Sequence, residues 1–499
     1  MINKLNNYLL FLIFLVFLIF IRLNTVSYEI ISWDEATYII AGQEILNGFL
    51  PYENLYEMKP PLLYYLYSLP LFFHKGLESV RIFGLILIFI SSISLFYILI
   101  KYVEKKIAFI VSLGFISIFN YYFWLETSSE IVILPLLLLS FICFRDYKKS
   151  YLSLIFLGLL ISISTLVRLN IGILGFFIFL YMIFDKYECK KTKFYNLIIY
   201  VLSGLLPLLF LIYFYYYHGK INLFYTGTFE VPLVYSSEKN FLDGTINYLR
   251  TIFKLSYFNP INFGTILISF VLSVFKPNIL SEDNGKFNVY YFGIIFTTIL
   301  SGQGFGHHLI VLIPFVLIFS FTKIIKNSFV HNCKLILFFV LISTQVIYSI
   351  SPNIDLINNK YNFSLNYKIK EIADSEIMKD KKVLALDYHL FYFYNNYYYP
   401  SKIIHTPAWV RVTTKDRLRP LININYISHD EAEVVLSHEY DYILCSSRIC
   451  EEGRKTLDNE KIKLILKDFK EFRRIKNYSK WEHTKYSDLI LYKNLKKSE

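Results

Sequence analysis

The chemistry-bearing side chains of this 499-residue chain sit in short polar segments between long apolar ones. The first polar segment carries Ser32-Trp33-Asp34-Glu35-Ala36-Thr37-Tyr38 and then Tyr56-Glu57-Met58-Lys59-Pro60-Pro61-Leu62. Two adjacent carboxylates directly after an apolar helix are costly unless solvated or used. Asp34 is also suited to cap a helix over 35–47. Proline restricts the residue before it, so Lys59-Pro60-Pro61 fixes an extended backbone and holds the Lys59 ammonium in place. A positioned lysine suits a phosphate; the alternative is a side chain that snorkels to a membrane surface. Glu57 is one residue off a direct pair with Lys59.

Other candidates lie further along. Glu126-Thr127-Ser128-Ser129-Glu130 precedes the apolar run Ile131–Leu139. Glu130 reads as a second acidic or acceptor-side group, or as a charge favoured at a helix N-terminus. Arg168 stands alone in a turn between two apolar stretches, either as a fork for phosphate or as a helix-end anchor. His307 and His308 mark the end of another stretch and suit a phosphate or an acceptor. There is no Asp-x-Asp pair and no metal-ligand spacing. The sequence therefore requires no cofactor and leaves divalent-metal dependence open.

The elements that position these residues are apolar helices. Hydrophobic residues make up 55% of the chain and charged ones 18%, against about 45–50% and about 25% in an average globular protein. So much apolar surface needs lipid as well as a core. Eleven stretches read as membrane spans, with cores near 7–24, 82–100, 107–123, 131–144, 151–167, 171–184, 195–217, 261–275, 287–301, 308–322 and 335–350. The first reads as a retained anchor, without the small-residue cleavage site of a signal peptide. With the N-terminus in the cytoplasm, the inside loops collect 16 Lys/Arg and six Asp/Glu, and the outside segments, counting Arg22 at the outer end of the first span, nine and twelve. That is the asymmetry of the positive-inside rule. The net charge of +12 is thus explained by membrane orientation, and no nucleic-acid partner is expected.

Charge also divides the chain. Residues 1–352 hold 25 Lys/Arg and 18 Asp/Glu, whereas the much shorter 353–499 holds 26 and 21. The division predicts an all-α polytopic membrane domain over 1–352 and a small soluble α/β domain over 353–499. In the chosen orientation the soluble domain lies outside the cytoplasm, together with the first loop, 25–81. Strands are expected at Val383–Leu386, with Asp387 at its end, at Tyr442–Cys445 and at Leu489–Tyr492. Helices are expected over Asp430–His438 and 457–475. No glycine-rich nucleotide loop follows a strand. The run Phe391–Tyr399 suits carbohydrate stacking or core packing. Cys445 and Cys450 in CSSRIC allow a small-loop disulfide or two free thiols.

The first loop, with Asp34-Glu35 followed by Lys59-Pro60-Pro61-Leu62, resembles the integral-membrane glycosyltransferases of the GT-C fold. The resemblance is to their aminoarabinose-transferase and protein O-mannosyltransferase-like group. Glu126 to Glu130 ahead of a span, and Gly306-His307-His308-Leu309 running to Pro314, are looser matches. The resemblance implies a polyprenyl-phosphate-linked sugar donor and a lipid, glycan or protein acceptor on the extracytoplasmic face. Transfer needs a base for the acceptor hydroxyl and cations for the departing phosphate. Asp34 is the base in this scheme and Glu35 a supporting carboxylate. Lys59 and Arg168, with His307 and His308, face the phosphate. Glu57, Glu126 and Glu130 are acceptor-side or supporting groups. The setting would be a bacterial plasma membrane, with membrane lipids as further partners. The competing classes are a polytopic transporter or flippase, which would favour internal repeats, and an oligosaccharide transferase or O-antigen-ligase-like enzyme.

Overall fold

A computed structural model describes residues 6–26, 33–120, 125–185, 189–237, 241–258, 282–300, 306–322, 328–358, 365–386, 388–395, 402, 404, 422–426, 435, 439–452, 459–476 and 488–497. The body is helical: α1 (Asn7–Val26), α2 (Trp33–Leu46), α3 (Leu62–Phe73), α4 (Leu77–Leu99), α5 (Lys105–Ile118), α6 (Ser129–Asp146), α7 (Tyr151–Val167), α8 (Gly172–Phe184) and α9 (Lys190–Tyr217). It continues through α10 (Ile221–Tyr225), α11 (Val231–Ser237), α12 (Phe241–Phe258), α13 (Glu282–Leu300), α14 (Ile313–Thr322) and α15 (Ser328–Ile357). Ten of the eleven expected apolar stretches fall on helices; the stretch 261–275 lies outside the described residues. Among the described residues three helices, α1, α4 and α9, are long and apolar enough to cross a membrane.

Apolar residues lie on both sides of these helices, as lipid requires. Helix α9 buries little of its length and leaves Leu202, Leu206, Leu209 and Phe210 exposed. Inside α4, the hydroxyls of Ser91, Ser92 and Ser94 donate back to the carbonyls of Leu87, Ile88 and Ile90. Polar groups are thereby satisfied within the segment, the condition for crossing lipid. Helices α2 and α3 cross closely at Gly42, where a Cβ would stand 2.9 Å from the Ser68 amide nitrogen. Small residues permit such approach.

Two segments differ from the sequence expectation. Asp34 lies inside the first turn of α2, which begins at Trp33, so it does not cap a helix over 35–47. The N-terminal dipole still favours acid there. The boundary that charge draws at 352 falls within α15, which runs on to Ile357. The helix runs on through this change in charge density even though Pro352 supplies no amide hydrogen to its hydrogen-bond ladder.

The C-terminal part builds a four-stranded sheet from β1 (Val383–Ala385), β2 (Tyr442–Ser446), β3 (Phe469–Ile475) and β4 (Leu489–Asn494), in the order β1-β2-β4-β3. Strands β1 and β2 are parallel, with Leu384 opposite Ile443; β4 is antiparallel to both β2 and β3. The three strands expected from the sequence are present. The helix expected over 457–475 is corrected: Asn459–Leu466 is helical, and 469–475 is the edge strand β3. A register shift between Glu471 and Arg473, together with charges along an edge strand, disguises its two-residue period. The run Asp430–His438 lies outside the described residues except Val435, and Asp387 lies outside them entirely. Phe391, Tyr392 and Phe393 are buried core, with the Tyr392 hydroxyl accepting from the Ala385 amide at 2.9 Å. Residues 396–399 are outside the described set. Cys445 and Cys450 are joined in a disulfide.

Candidate functional site

Glu35 points away from solvent and is 1% exposed. Its Oε2 accepts from Arg81 Nη2 at 2.5 Å and its Oε1 from the Thr127 amide at 2.8 Å. Arg81, itself buried in α4, also donates to the Leu125 carbonyl at 2.7 Å, where Arg22 of α1 donates at 2.9 Å. Both oxygens of Glu35 are thus engaged in tying α2, α4 and the 125–127 segment together. Glu35 is a positioning residue, and its neighbour Asp34 is half-buried.

Lys59 is fixed by its backbone. Its amide donates to Glu57 Oε2 at 3.3 Å and to the Tyr64 hydroxyl at 3.2 Å. Its carbonyl accepts from Tyr52 at 2.6 Å. Glu57 is spent in this turn, since the same Oε2 also accepts from the Met58 amide and the Tyr64 hydroxyl. Tyr52 holds a φ of +74°, unusual for a side chain of its size, and its ring lies where Gly227 leaves no room for a Cβ. Strain of this kind persists where neighbours over-determine it. The Lys59 ammonium, by contrast, makes no hydrogen bond or ion pair with any described residue.

Arg168 closes α7 at the turn into α8 and is 5% exposed. It forms an ion pair with Glu130 in the first turn of α6, and its Nε donates to Asn170 Oδ1 at 3.1 Å. The imidazoles of His307 and His308 sit at right angles, with Nε2 atoms 3.9 and 3.8 Å from Glu130 Oε1. Glu126 is buried on the segment before α6, beside Tyr67.

Electrostatics connect these groups. Burial lowers the proton affinity of Lys59, Arg168 lowers it further, and Asp34 raises it. Burial brings Arg168 down to about 10, against the opposing pull of Tyr248, Tyr38 and Asp34. His307 falls to about 4, because burial, Arg168 and Lys59 outweigh Asp34, so its ring is neutral at pH 7. Asp34 acts on all three cationic or basic groups, so α2, the Lys59 turn, the α7–α8 turn and Gly306–Val311 bring these groups within electrostatic reach of one another.

Although no metal spacing is legible in the sequence, the fold gathers Glu130, His307 and His308 with ligand atoms within 4.8 Å of one another. Three protein ligands with an open position suit a divalent ion. The Arg168 guanidinium occupies the same Glu130 oxygen, so cation and guanidinium compete for it.

Sequence reasoning missed Arg81 and Arg22, neither of which it singled out. It also missed the C-terminal part as a wall of the first loop. His389 Nε2 lies 3.1 Å from Thr37 Oγ1, one turn after Asp34. The Tyr56 amide donates to the Lys402 carbonyl at 2.7 Å, and the Tyr426 hydroxyl donates to the Glu57 carbonyl at 3.3 Å. No sequence signal marks these long-range contacts.

Neither a protein-family model nor a curated protein sequence matches the chain. Its structure does have solved counterparts. ArnT from Cupriavidus metallidurans bound to undecaprenyl phosphate superposes with a TM-score of 0.57 at 10% identity, over 97% of each chain. The same protein in its apo state gives 0.55 at 9% identity, again over 97% of each chain. An Archaeoglobus fulgidus oligosaccharyltransferase in complex with zinc and sulfate gives 0.45 at 9% identity, over 97% of this chain and 73% of that one. The likeness to ArnT is one of fold: the chain has the GT-C architecture expected from its first loop.

Proposed function

We propose that the chain is a membrane glycosyltransferase that moves a sugar from a polyprenyl-phosphate donor to an acceptor hydroxyl. The observation that carries this reading is the Lys59 ammonium, borne on a backbone held by Tyr52, Tyr64 and Glu57, without a hydrogen-bond or ion-pair partner among the described residues and within electrostatic reach of Arg168 and Asp34. It supports a site that awaits an anion. The fold is shared with a protein crystallised with undecaprenyl phosphate, which favours a lipid-linked phosphate over a soluble one.

In the reaction, Asp34 accepts the proton of the acceptor hydroxyl as its oxygen bonds to the anomeric carbon. The bond from that carbon to the phosphate oxygen breaks, and polyprenyl phosphate leaves with both bonding electrons. Lys59 and Arg168 stabilise the charge that develops on it. One displacement of this kind inverts the anomeric centre. Glu130, His307 and His308 would hold a divalent cation, which would add positive charge at the same face. We assign the N-terminus to the cytoplasm and both the first loop and residues 353–499 to the outer face of a bacterial plasma membrane. The sugar is a hexose or pentose, and the acceptor a lipid, glycan or protein.

The test uses purified protein in liposomes with a panel of radiolabelled polyprenyl-phosphate sugars and a crude envelope extract. Wild type should release polyprenyl phosphate, and Asp34→Asn, folded, should not. Equal release by both removes Asp34 from the mechanism. No release from any donor returns the weight to a transporter.

A further inference from the structure

A second charged site lies at the opposite end of the helices. Arg145 is 15 residues beyond Glu130 on α6, which at 1.5 Å per residue is about 22 Å along the helix axis. There α4 and α6 flank a cavity of about 570 Å³. Its walls are apolar and include Ile90, Ile93, Leu139 and Ile142; its end is formed by Lys101, Arg145 and Asp146. The cavity opens outward, since Ile90 and Leu139 are among the exposed apolar residues of the helical surface.

Three cations share one carboxylate at that end. Asp146 Oδ2 accepts from Arg145 Nη2 at 2.8 Å and lies 3.6 Å from Lys101 Nζ, and its Oδ1 accepts from Lys149 at 2.9 Å. Arg145 is 8% exposed, yet its Nη1 is buried with no hydrogen-bond partner among the described residues. An orphaned guanidinium nitrogen at the head of an apolar groove is incomplete as it stands.

We propose that this groove binds an anionic glycerophospholipid, with its phosphate on Arg145 and Lys101 and one acyl chain along Ile90, Ile93, Leu139 and Ile142. The phosphate balances the surplus of positive charge that Lys101, Arg145 and Lys149 hold against the single carboxylate of Asp146. A zwitterionic headgroup brings its own ammonium into a cluster that already has too many. The apolar walls select a lipid over a free phosphate, because only a lipid fills them. The site is separate from the transfer site and does not depend on its chemistry.

The full-length protein is exchanged into micelles doped with equal phosphatidylglycerol and phosphatidylcholine, and retained lipids are counted by native mass spectrometry. Wild type should retain phosphatidylglycerol about tenfold over phosphatidylcholine, and Arg145→Gln should bring the two to parity. Leu139→Trp, which leaves every charge in place and obstructs the groove, should do the same and decides the matter if Arg145→Gln does not fold. Lys190→Gln, a cation at the start of α9 and away from the groove, should leave retention unchanged. The proposal is overturned if wild type shows no preference, if Leu139→Trp retains lipid as wild type does, or if Lys190→Gln loses as much as Arg145→Gln. Displacement of the lipid by millimolar glycerol 3-phosphate would assign the site to a free phosphate and overturn it equally.

Discussion

Replacing Lys59 by Met separates a residue that holds the fold from one that holds a ligand. The backbone of Lys59 is fixed by Tyr52, Tyr64 and Glu57, all through main-chain atoms that a Met retains. The side chain is half-buried, and its ammonium makes no hydrogen bond or ion pair with a described residue. Removing it costs the resting protein no contact and relieves a desolvated charge. Melting of Lys59→Met in detergent should therefore be unchanged or slightly raised. In the proposed reaction the same ammonium faces the departing phosphate, where a hydrogen bond to a charged group contributes about 1.5–3 kcal/mol. That corresponds to a loss of about 10- to 150-fold in kcat/KM for sugar transfer. The two readouts should move independently. A variant that melts several degrees lower and loses activity in proportion would make Lys59 a structural residue. Unchanged kcat/KM would take it out of the site.

Three more predictions rest on the same geometry. Burial and Arg168 lower the pKa of Lys59, so its charged form is complete below that pKa and is lost as pH rises through it. The alkaline limb of kcat/KM should thus fall at a pH below that of an ordinary lysine, about 10.4, and should be missing from Lys59→Met. The Glu35–Arg81 pair is buried on both sides, so Glu35→Gln or Arg81→Met alone should destabilise by about 3–5 kcal/mol, and the double variant by much less than their sum. SDS-titration unfolding of the four proteins measures the coupling, and additive costs would refute it. Gly42→Ala places a Cβ against the Ser68 backbone; overpacking there should cost about 1–3 kcal/mol and lower kcat by shifting α2, as read from unfolding and turnover together.

What was legible in the sequence follows from locality. The apolar runs declare helices because lipid and core both demand the same residues, and the short strands around Leu384, Ile443 and Ile490 declare themselves by an uninterrupted apolar run. Asp34 and Lys59 are legible because they share a loop and Lys59 is locked by the prolines after it. The partnership of Arg168 with Glu130 was not legible, since it joins the turn after α7 to the start of α6 through tertiary packing alone. The same holds for Glu130 with His307 and His308, which are separated by most of the helical body. Arg81 was hidden for another reason: at the head of an apolar run it reads as an interface anchor, and only the position of Glu35 turns it into a buried partner. Strand β3 was lost because an edge strand carrying Lys470, Glu471, Arg473 and Arg474 has the composition of an exposed helix.

The charge inventory of the site explains why its parts are held so firmly. Of the carboxylates near Lys59, Glu57 is used by backbone amides, Glu35 by Arg81, and Glu130 by Arg168. Asp34 acts on Lys59, Arg168 and His307 together, and Glu57 adds to its pull on Lys59. Burial disfavours the protonated forms of all three, and repulsion from neighbouring cations adds to it at Lys59 and His307, so the resting site carries positive charge at an energetic cost. Such an arrangement survives only if the surrounding structure prevents its relaxation. The strained Tyr52, the double clamp on the Lys59 carbonyl and the docking of His389 on Thr37 are three independent restraints that do so. A bound phosphate relieves the repulsion without any of these groups moving, and a leaving phosphate relieves it more, because its charge grows as the glycosidic bond breaks. In the proposed transfer the stability given up in the resting site is therefore recovered most fully at the transition state, which is the condition for rate enhancement rather than for tight binding alone.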